Sequence, residues 1–313
     1  MSIAGDALPL RPLSIGEIFD RAVTLYVRYF GLFTLIMLVV VFPLTILSYF
    51  ATFGNTAYQQ ILDQATHPGR TATPSPVILA NLVQVYTILF FVVVLQVLLM
   101  PFAYVATAAG VAALYRAQRP AWRECYAAAV RRWPAILGAE LMTLIVLGAV
   151  VIAGSLVFGV TFGVGIFLVR GSTAGIVVFS IVLILLILVW LMSMALCAFA
   201  LGFAYNAIAV EGAGLFAAMS LGFSRIFDRR ELGRAALVVL ALFAISLGMY
   251  IVLALLAALA EGVTHNLTLY ELVTAPLSLI TSTFTALLFA VYYFDVRVRR
   301  EGLDMQSALE RLE

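Results

Sequence analysis

Residues Ala174–Val210 read AGIVVFSIVLILLILVWLMSMALCAFALGFAYNAIAV, with no Asp, Glu, Lys, Arg or His among them. About twenty consecutive apolar residues are enough to cross a bilayer as a helix. Five further runs meet that criterion: Gly31–Phe53, Val77–Tyr115, Ala135–Val169, Ala235–Ala260 and Leu272–Phe294. The whole chain is 64% hydrophobic and 11% charged, with a mean hydropathy of +1.12. A soluble domain carries about 25% charged and about 45–50% apolar residues, so most of this surface must face lipid. Disorder, a disulfide scaffold and a water-soluble enzyme are excluded, and a net charge of +2 is too small to suggest a nucleic-acid partner. The expected fold is all-α, a polytopic membrane protein of six transmembrane helices, with residues 1–313 forming one integral membrane domain.

Several runs exceed the minimum. Val77–Tyr115 reaches about 58 Å at 1.5 Å per residue, against a hydrocarbon core of ~30 Å. It must tilt, project or bend, and Pro101 is the expected bend because its ring interrupts the helical ladder; Pro43 stands in the same situation in the first run. Gly138, Gly148, Gly154, Gly159, Gly163 and Gly165 mark the third run for close helix packing, with Gly159 and Gly163 at small-xxx-small spacing.

All 18 basic residues are arginine. With six spans only Arg70 and Arg170 fall on one side, and the other sixteen, from Arg11 to Arg311, fall opposite. The positive-inside rule places the sixteen and both termini in the cytoplasm, and five or seven spans would spoil the asymmetry. No basic start followed by an apolar core and cleavage site opens the chain, so no removable signal peptide is expected and the mature chain is expected to begin near Met1. The all-arginine usage points to a GC-rich bacterial genome, hence an inner-membrane location, and the Asn266-Leu267-Thr268 sequon carries no weight there. Cys125 and Cys197 have no second ligand nearby and read as small packing residues. No metal or other cofactor is expected.

An internal repeat is visible as a charged residue followed by Pro or Gly and a short amphipathic segment, at Arg11-Pro12, Arg119-Pro120, Glu211-Gly212 and Glu301-Gly302. Three two-span units of about 11–118, 119–210 and 211–300 are expected, each preceded by a cytoplasmic amphipathic helix, with a partial fourth over 301–313. In the first, Ser14-Ile15-Gly16-Glu17 has capping-box spacing, and Ile15, Ile18, Phe19, Ala22, Tyr26 and Tyr29 share a helical face. The second sets Trp122, Cys125, Tyr126, Ala129 and Trp133 against Arg123, Glu124, Arg131 and Arg132; the third has so few polar positions, Ser220, Ser224, Arg225 and Asp228, that a more buried helix is expected. Such segments suit the membrane interface, and units of equal orientation suit an axis along the membrane normal.

Chemistry is sparse. Ionisable groups inside spans usually signal function, and here only Glu140, about four residues inside the third run, and Asp295, beside Arg297 and Arg299, qualify. Glu140 is expected to reach the inner interface and Asp295 to pair with its neighbouring arginines. Both histidines, His67 and His265, lie outside and far from any nucleophile. The chain is therefore expected not to be an enzyme. Ser278, Thr281, Ser282 and Thr285 share one face of the sixth run, and Asn81 and Gln84 lie about one turn apart in the second. These are candidate cavity-lining residues for a headgroup or solute; hydrogen bonding between helices is the plainer reading and the favoured one, at about 0.6 kcal/mol per bond. The candidate lipid- or partner-binding residues are Phe19, Arg21, Tyr29, Trp122, Arg123, Arg131, Trp133, Arg297 and Arg300, because interfacial Arg beside aromatic rings attracts anionic headgroups at about 1 kcal/mol each. Thirteen carboxylates on the same side as the sixteen arginines temper that attraction.

Two stretches carry a resemblance. Arg11-Pro12-Leu13-Ser14-Ile15-Gly16-Glu17-Ile18-Phe19-Asp20-Arg21-Ala22 is similar to the opening of the bacterial glycerophosphodiester phosphodiesterase membrane-domain family, and Tyr292-Tyr293-Phe294-Asp295-Val296-Arg297-Val298-Arg299-Arg300-Glu301-Gly302-Leu303-Asp304 to its close. Glu211-Gly212-Ala213-Gly214 resembles its centre. Some members continue into a soluble phosphodiesterase; its histidine, arginine and carboxylate set has no counterpart here, so the resemblance implies a membrane protein tied to lipids and no hydrolase activity. The expected role is non-catalytic: organising lipids, or docking membrane or cytosolic proteins, through the cytoplasmic helices. The alternative is a transporter or channel for a lipid-like or small solute.

Overall fold

The computed structural model describes residues 11–52, 76–169, 173–264 and 267–302. Nine helices lie within them: α1 (Ile15–Arg28), α2 (Phe30–Thr52), α3 (Pro76–Tyr115), α4 (Trp122–Val130), α5 (Trp133–Leu168), α6 (Thr173–Glu211), α7 (Leu215–Ile226), α8 (Leu232–Thr264) and α9 (Leu267–Glu301). No strand occurs among the described residues. Six helices contain segments long and apolar enough to cross a membrane: Phe30–Phe50, Val83–Tyr115, Trp133–Gly165, Thr173–Glu211, Leu232–Leu256 and Ala275–Glu301. This is the pattern of a multi-pass membrane protein. The sixth continues past Phe294 to Glu301, because the charges of its last two turns are held by partners on other helices. Pro43, Pro101 and Pro276 all sit within continuous helices.

The short helices begin and end for local reasons. At α1 the Ser14 hydroxyl accepts from the Glu17 N–H (3.3 Å) while Glu17 Oε2 accepts from the Ser14 N–H (2.7 Å), the reciprocal box that its spacing predicts. The Ser14 N–H and the Arg11 guanidinium together hold the Glu17 carboxyl at about 2. A single residue, Tyr29, separates α1 from α2. The helix α6 stops at Glu211 because Gly212 turns left-handed (φ +69) and the Ala213 N–H returns to the Ala207 carbonyl at 3.4 Å. The same dipeptide ends α9, where Gly302 has φ +61. Both Glu-Gly pairs thus close the helix before them.

Packing is lopsided. The main core joins Leu13 and Ile18 to the second half of α3, Phe199–Ile208 of α6 and Leu287–Val296 of α9, all toward the arginine-rich end. Rings from α6 and α9 meet at its centre, with Phe199 4.6 Å from Phe289 and Phe203 5.3 Å from Tyr293. Toward the opposite end α5, α6 and α8 expose Leu156, Val160, Ile184, Leu188 and Leu255, a surface that suits lipid. The glycines of α5 divide accordingly. A Cβ on Gly154 or Gly165 would strike Trp190 or Phe179, and one on Gly138 would press on Leu215, whereas Gly148, Gly159 and Gly163 face open space. The Gly159/Gly163 pair therefore meets no helix among the described residues.

A close backbone approach lies between α6 and α7. A Cβ on Gly222 would come within 2.3 Å of the Ala200 carbonyl oxygen, which no rotamer can relieve. Gly222→Ala is expected to push α7 off α6 at a cost of about 1–3 kcal/mol. Cys125 is the reporter: burial, with Glu124 adding to it, pushes its thiol up to about 11. A thiol-reactive dye should label it at a lower temperature in the variant, whereas Gly148→Ala, where a Cβ meets nothing, should not lower that temperature.

Candidate functional site

Two polar constellations stand out, one at the arginine-rich end and one in a cleft near mid-bundle. The first is written by helical spacing along α9. Tyr293, Arg297 and Glu301 form one i, i+4, i+8 stripe, and Tyr292, Asp295 and Arg299 form a second at i, i+3, i+7. The first stripe meets the Glu-Gly stop of α6 and the end of α7. The side chain of Arg225, only 6% exposed, donates to Glu211 (2.6 Å), Glu301 (2.7 Å) and the Tyr293 hydroxyl (2.6 Å). Arg297 holds Glu301 at 2.7 Å and approaches Glu211 at 3.4 Å, and the Tyr293 hydroxyl donates to Glu211. Carboxylates in the last turn of a helix oppose its dipole, which is why two arginines gather there. Burial alone would lower the Arg225 pKa, but Glu211, Tyr293 and Glu301 outweigh it and hold the guanidinium above its ordinary value.

The second stripe reaches the N-terminal segment. Asp295, whose side chain is fully buried, accepts from the Leu13 N–H at 2.6 Å and pairs with Arg234 (2.7 Å) and Arg299 (3.2 Å). Arg299 and Arg234 in turn donate to the Leu13 carbonyl, the former at 2.6 Å. Arg300 joins Asp228 at 2.6 Å and the Ser224 carbonyl at 3.2 Å. Leu13, Glu211 and the last turns of α9 are thus tied together by two neighbouring networks along that helix. Beside it Glu231 is buried with Oε2 lacking a hydrogen-bond partner among the described residues, and burial raises its pKa. Asp295 pairs with Arg299 as expected, but with Arg234 in place of Arg297. Glu140 is turned into the bundle: it is buried and accepts from the Tyr205 hydroxyl, with Tyr104 stacked on Tyr205 at 6.5 Å.

The other candidate binding residues are scattered. Phe19, Tyr29 and Trp122 pack against the main core, so the aromatic side of α1 and α4 is spent on the bundle. Arg21 is half-buried with Nη1 3.5 Å from the Tyr115 hydroxyl. Arg123 lies over the Trp122 ring at 5.3 Å, and Arg131 and Trp133 are exposed. Arg297 and Arg300 are held in these networks. Arg225, read from the spacing as part of the polar side of its helix, is a core residue, in keeping with the buried character expected of that helix. Arg132 donates to the Ile208 carbonyl and to that of Ala209 at 2.9 Å, closing the end of α6. His67, His265 and residues 303–313 lie outside the described residues.

The cleft, of about 340 Å³, opens between α2, α3 and α9 and is lined by Thr45, Ser48, Gln96, Ser278 and Ser282 among apolar neighbours. Ser278 and Ser282 were expected; Thr281, Thr285 and Gln84 do not line it, and the side chain of Asn81 is outside the described residues. The hydroxyls of Thr45, Ser278 and Ser282 do not bridge helices. Thr45 donates to the Val41 carbonyl (2.9 Å), Ser278 to Ala275 (2.8 Å) and Ser282 to Ser278 (2.8 Å), each on its own helix. Their oxygens remain able to accept. Gln96 has no hydrogen-bond partner among the described residues, and it sits near the middle of α3, roughly 30 Å from either end. Its isolation inside Ile88–Met100, an otherwise apolar stretch, was the available signal. Val41, Thr45 and Ala275 also border an apolar groove of about 570 Å³ that continues over Phe42, Tyr49 and Leu279.

Comparison of the chain with family models, with curated proteins and with solved structures finds no match.

Proposed function

We propose that this is a non-catalytic, lipid-binding protein of the bacterial inner membrane, its arginine-rich end and both termini in the cytoplasm, built of three two-span units. The observation that carries the reading is the shared wall between a polar cleft and an apolar groove. A neutral polar group fits against Gln96, Ser278 and Ser282, none of which is charged, and an acyl chain fits the groove beside them. An amide in hydrocarbon without a partner costs about 1–3 kcal/mol, so a polar ligand there satisfies a group the protein leaves open. Kinship with the glycerophosphodiester phosphodiesterase membrane-domain family belongs to the same proposal, supported by the meeting of the stretches that carry the resemblance at Arg225 and Asp295.

The test is lipid analysis of the protein extracted in native membrane patches. Wild type is expected to retain a stoichiometric neutral amphiphile after delipidation, and Gln96→Leu with Ser282→Ala to lose it while unfolding at an equal or higher temperature. A variant that keeps the lipid overturns the reading. A purely structural role for Gln96 would show instead as lost stability. Flux of that amphiphile in proteoliposomes, abolished by the same substitutions, would identify transport as the use of the cleft.

A further inference from the structure

A second cavity, of about 220 Å³, lies along α1 at the arginine-rich end, away from the cleft. Its lining is a helical stripe of both signs: Arg11, Glu17, Asp20, Arg21, Thr24 and Arg28. Arg11 and Glu17 neutralise one another at 2.5 Å, and Glu17 is further committed to the capping box. Asp20 and Arg28 are exposed and make no hydrogen bond or ion pair among the described residues, Arg28 resting only over the Tyr29 ring at 5.7 Å. The cavity therefore offers an open carboxylate and an open guanidinium about two turns apart on one helix, with Arg21 between them. The adjoining surface of α1 and the start of α2 exposes Val23, Val27 and Phe30.

We propose that this cavity binds the headgroup of a phospholipid bearing a protonated amine, of the phosphoethanolamine type. The phosphodiester takes Arg28, since guanidinium matches phosphate oxygens in a planar fork. The ammonium takes Asp20, and the acyl chains run down Val23, Val27 and Phe30. A purely anionic headgroup would leave Asp20 facing negative charge, and a quaternary amine would lack the N–H groups a carboxylate accepts from. The apolar flank assigns the source to a membrane lipid rather than to a soluble phosphoester. The inference rests on the reading that the arginine-rich end lies at a membrane face, but on none of the cleft residues.

The experiment reconstitutes the full chain in nanodiscs of mixed phosphatidylethanolamine, phosphatidylglycerol and phosphatidylcholine, and measures which lipids survive delipidation. Wild type is expected to be enriched in phosphatidylethanolamine over the bulk mixture. Asp20→Asn should lose the preference for ethanolamine while still retaining phospholipid, and Arg28→Gln should lose retention itself. Gln96→Leu should leave the enrichment intact, so that failure of the cleft reading and failure of this one are separate results. Both exposed substitutions should preserve the unfolding temperature. Bulk-like composition in wild type, or unchanged enrichment in both variants, overturns the proposal, as does saturable binding of soluble phosphoethanolamine without lipid retention.

Discussion

Arg225→Ala is expected to cost about 3–5 kcal/mol, the typical penalty for removing one partner of a buried ion pair. The substitution strands Glu211 and Glu301, both in the final turn of a helix, with only Arg297 and a tyrosine hydroxyl left to answer them. Unfolding in a rising proportion of SDS in mixed micelles, followed by the fluorescence of Trp122, Trp133 and Trp190, measures the loss. Arg225→Lys should recover part of it, since a single ammonium does not reproduce a fork that reaches two carboxylates and a hydroxyl. The triple replacement Arg225→Met, Glu211→Gln, Glu301→Gln should recover most of it, because the penalty comes from uncompensated charge more than from the pair itself. A triple variant no better than the single one would mean that Arg225 acts through packing alone.

Asp295→Ala is the second large effect, of the same order, about 3–5 kcal/mol. Its fully buried carboxylate joins three elements: the Leu13 N–H, Arg234 at the start of α8 and Arg299 on its own helix. Asp295→Asn keeps an acceptor for Leu13 and should lose less. The distinguishing readout is limited proteolysis. In Asp295→Ala the segment before α1 should be cut before the six long helices unfold, whereas Arg225→Ala should leave that segment protected. Equal protection in both would show that Asp295 contributes to the bundle as a whole and not to the N-terminal attachment.

What the sequence made legible follows from the physics of lipid as a solvent. The long apolar runs differ from the observed spans by a few residues at most ends, because length and the absence of charge suffice to define them. The start of α1 was readable from Ser14 and Glu17, a contact three residues apart. By contrast α3, α5, α6 and α8 are apolar on every side, so no periodicity tells which face packs and which meets lipid. The burial of Phe199–Ile208 and the exposure of Ile176–Leu188 on one helix were therefore invisible. The role of Arg225 could not be read because two of its partners, Glu301 and Tyr293, lie 76 and 68 positions away. Gly222 gave no sign of its importance among 22 glycines, since the carbonyl it admits belongs to another helix. Gln96 was missed because a single polar residue has no spacing to read, whereas Ser278 and Ser282 were found because they repeat at one turn.

The contact between Leu13 and Asp295 also sets an order of events. The two residues are 282 positions apart, so at about 5–20 residues per second the N-terminal segment waits roughly 15–55 s for its partner to be synthesised. During that interval α1 has neither Asp295 nor the rest of α9 to rest against, and its apolar side must be sheltered by the bilayer surface or by the translation machinery. Assembly therefore finishes where synthesis began, and a chain that stalls before its last helix leaves its first one unclasped.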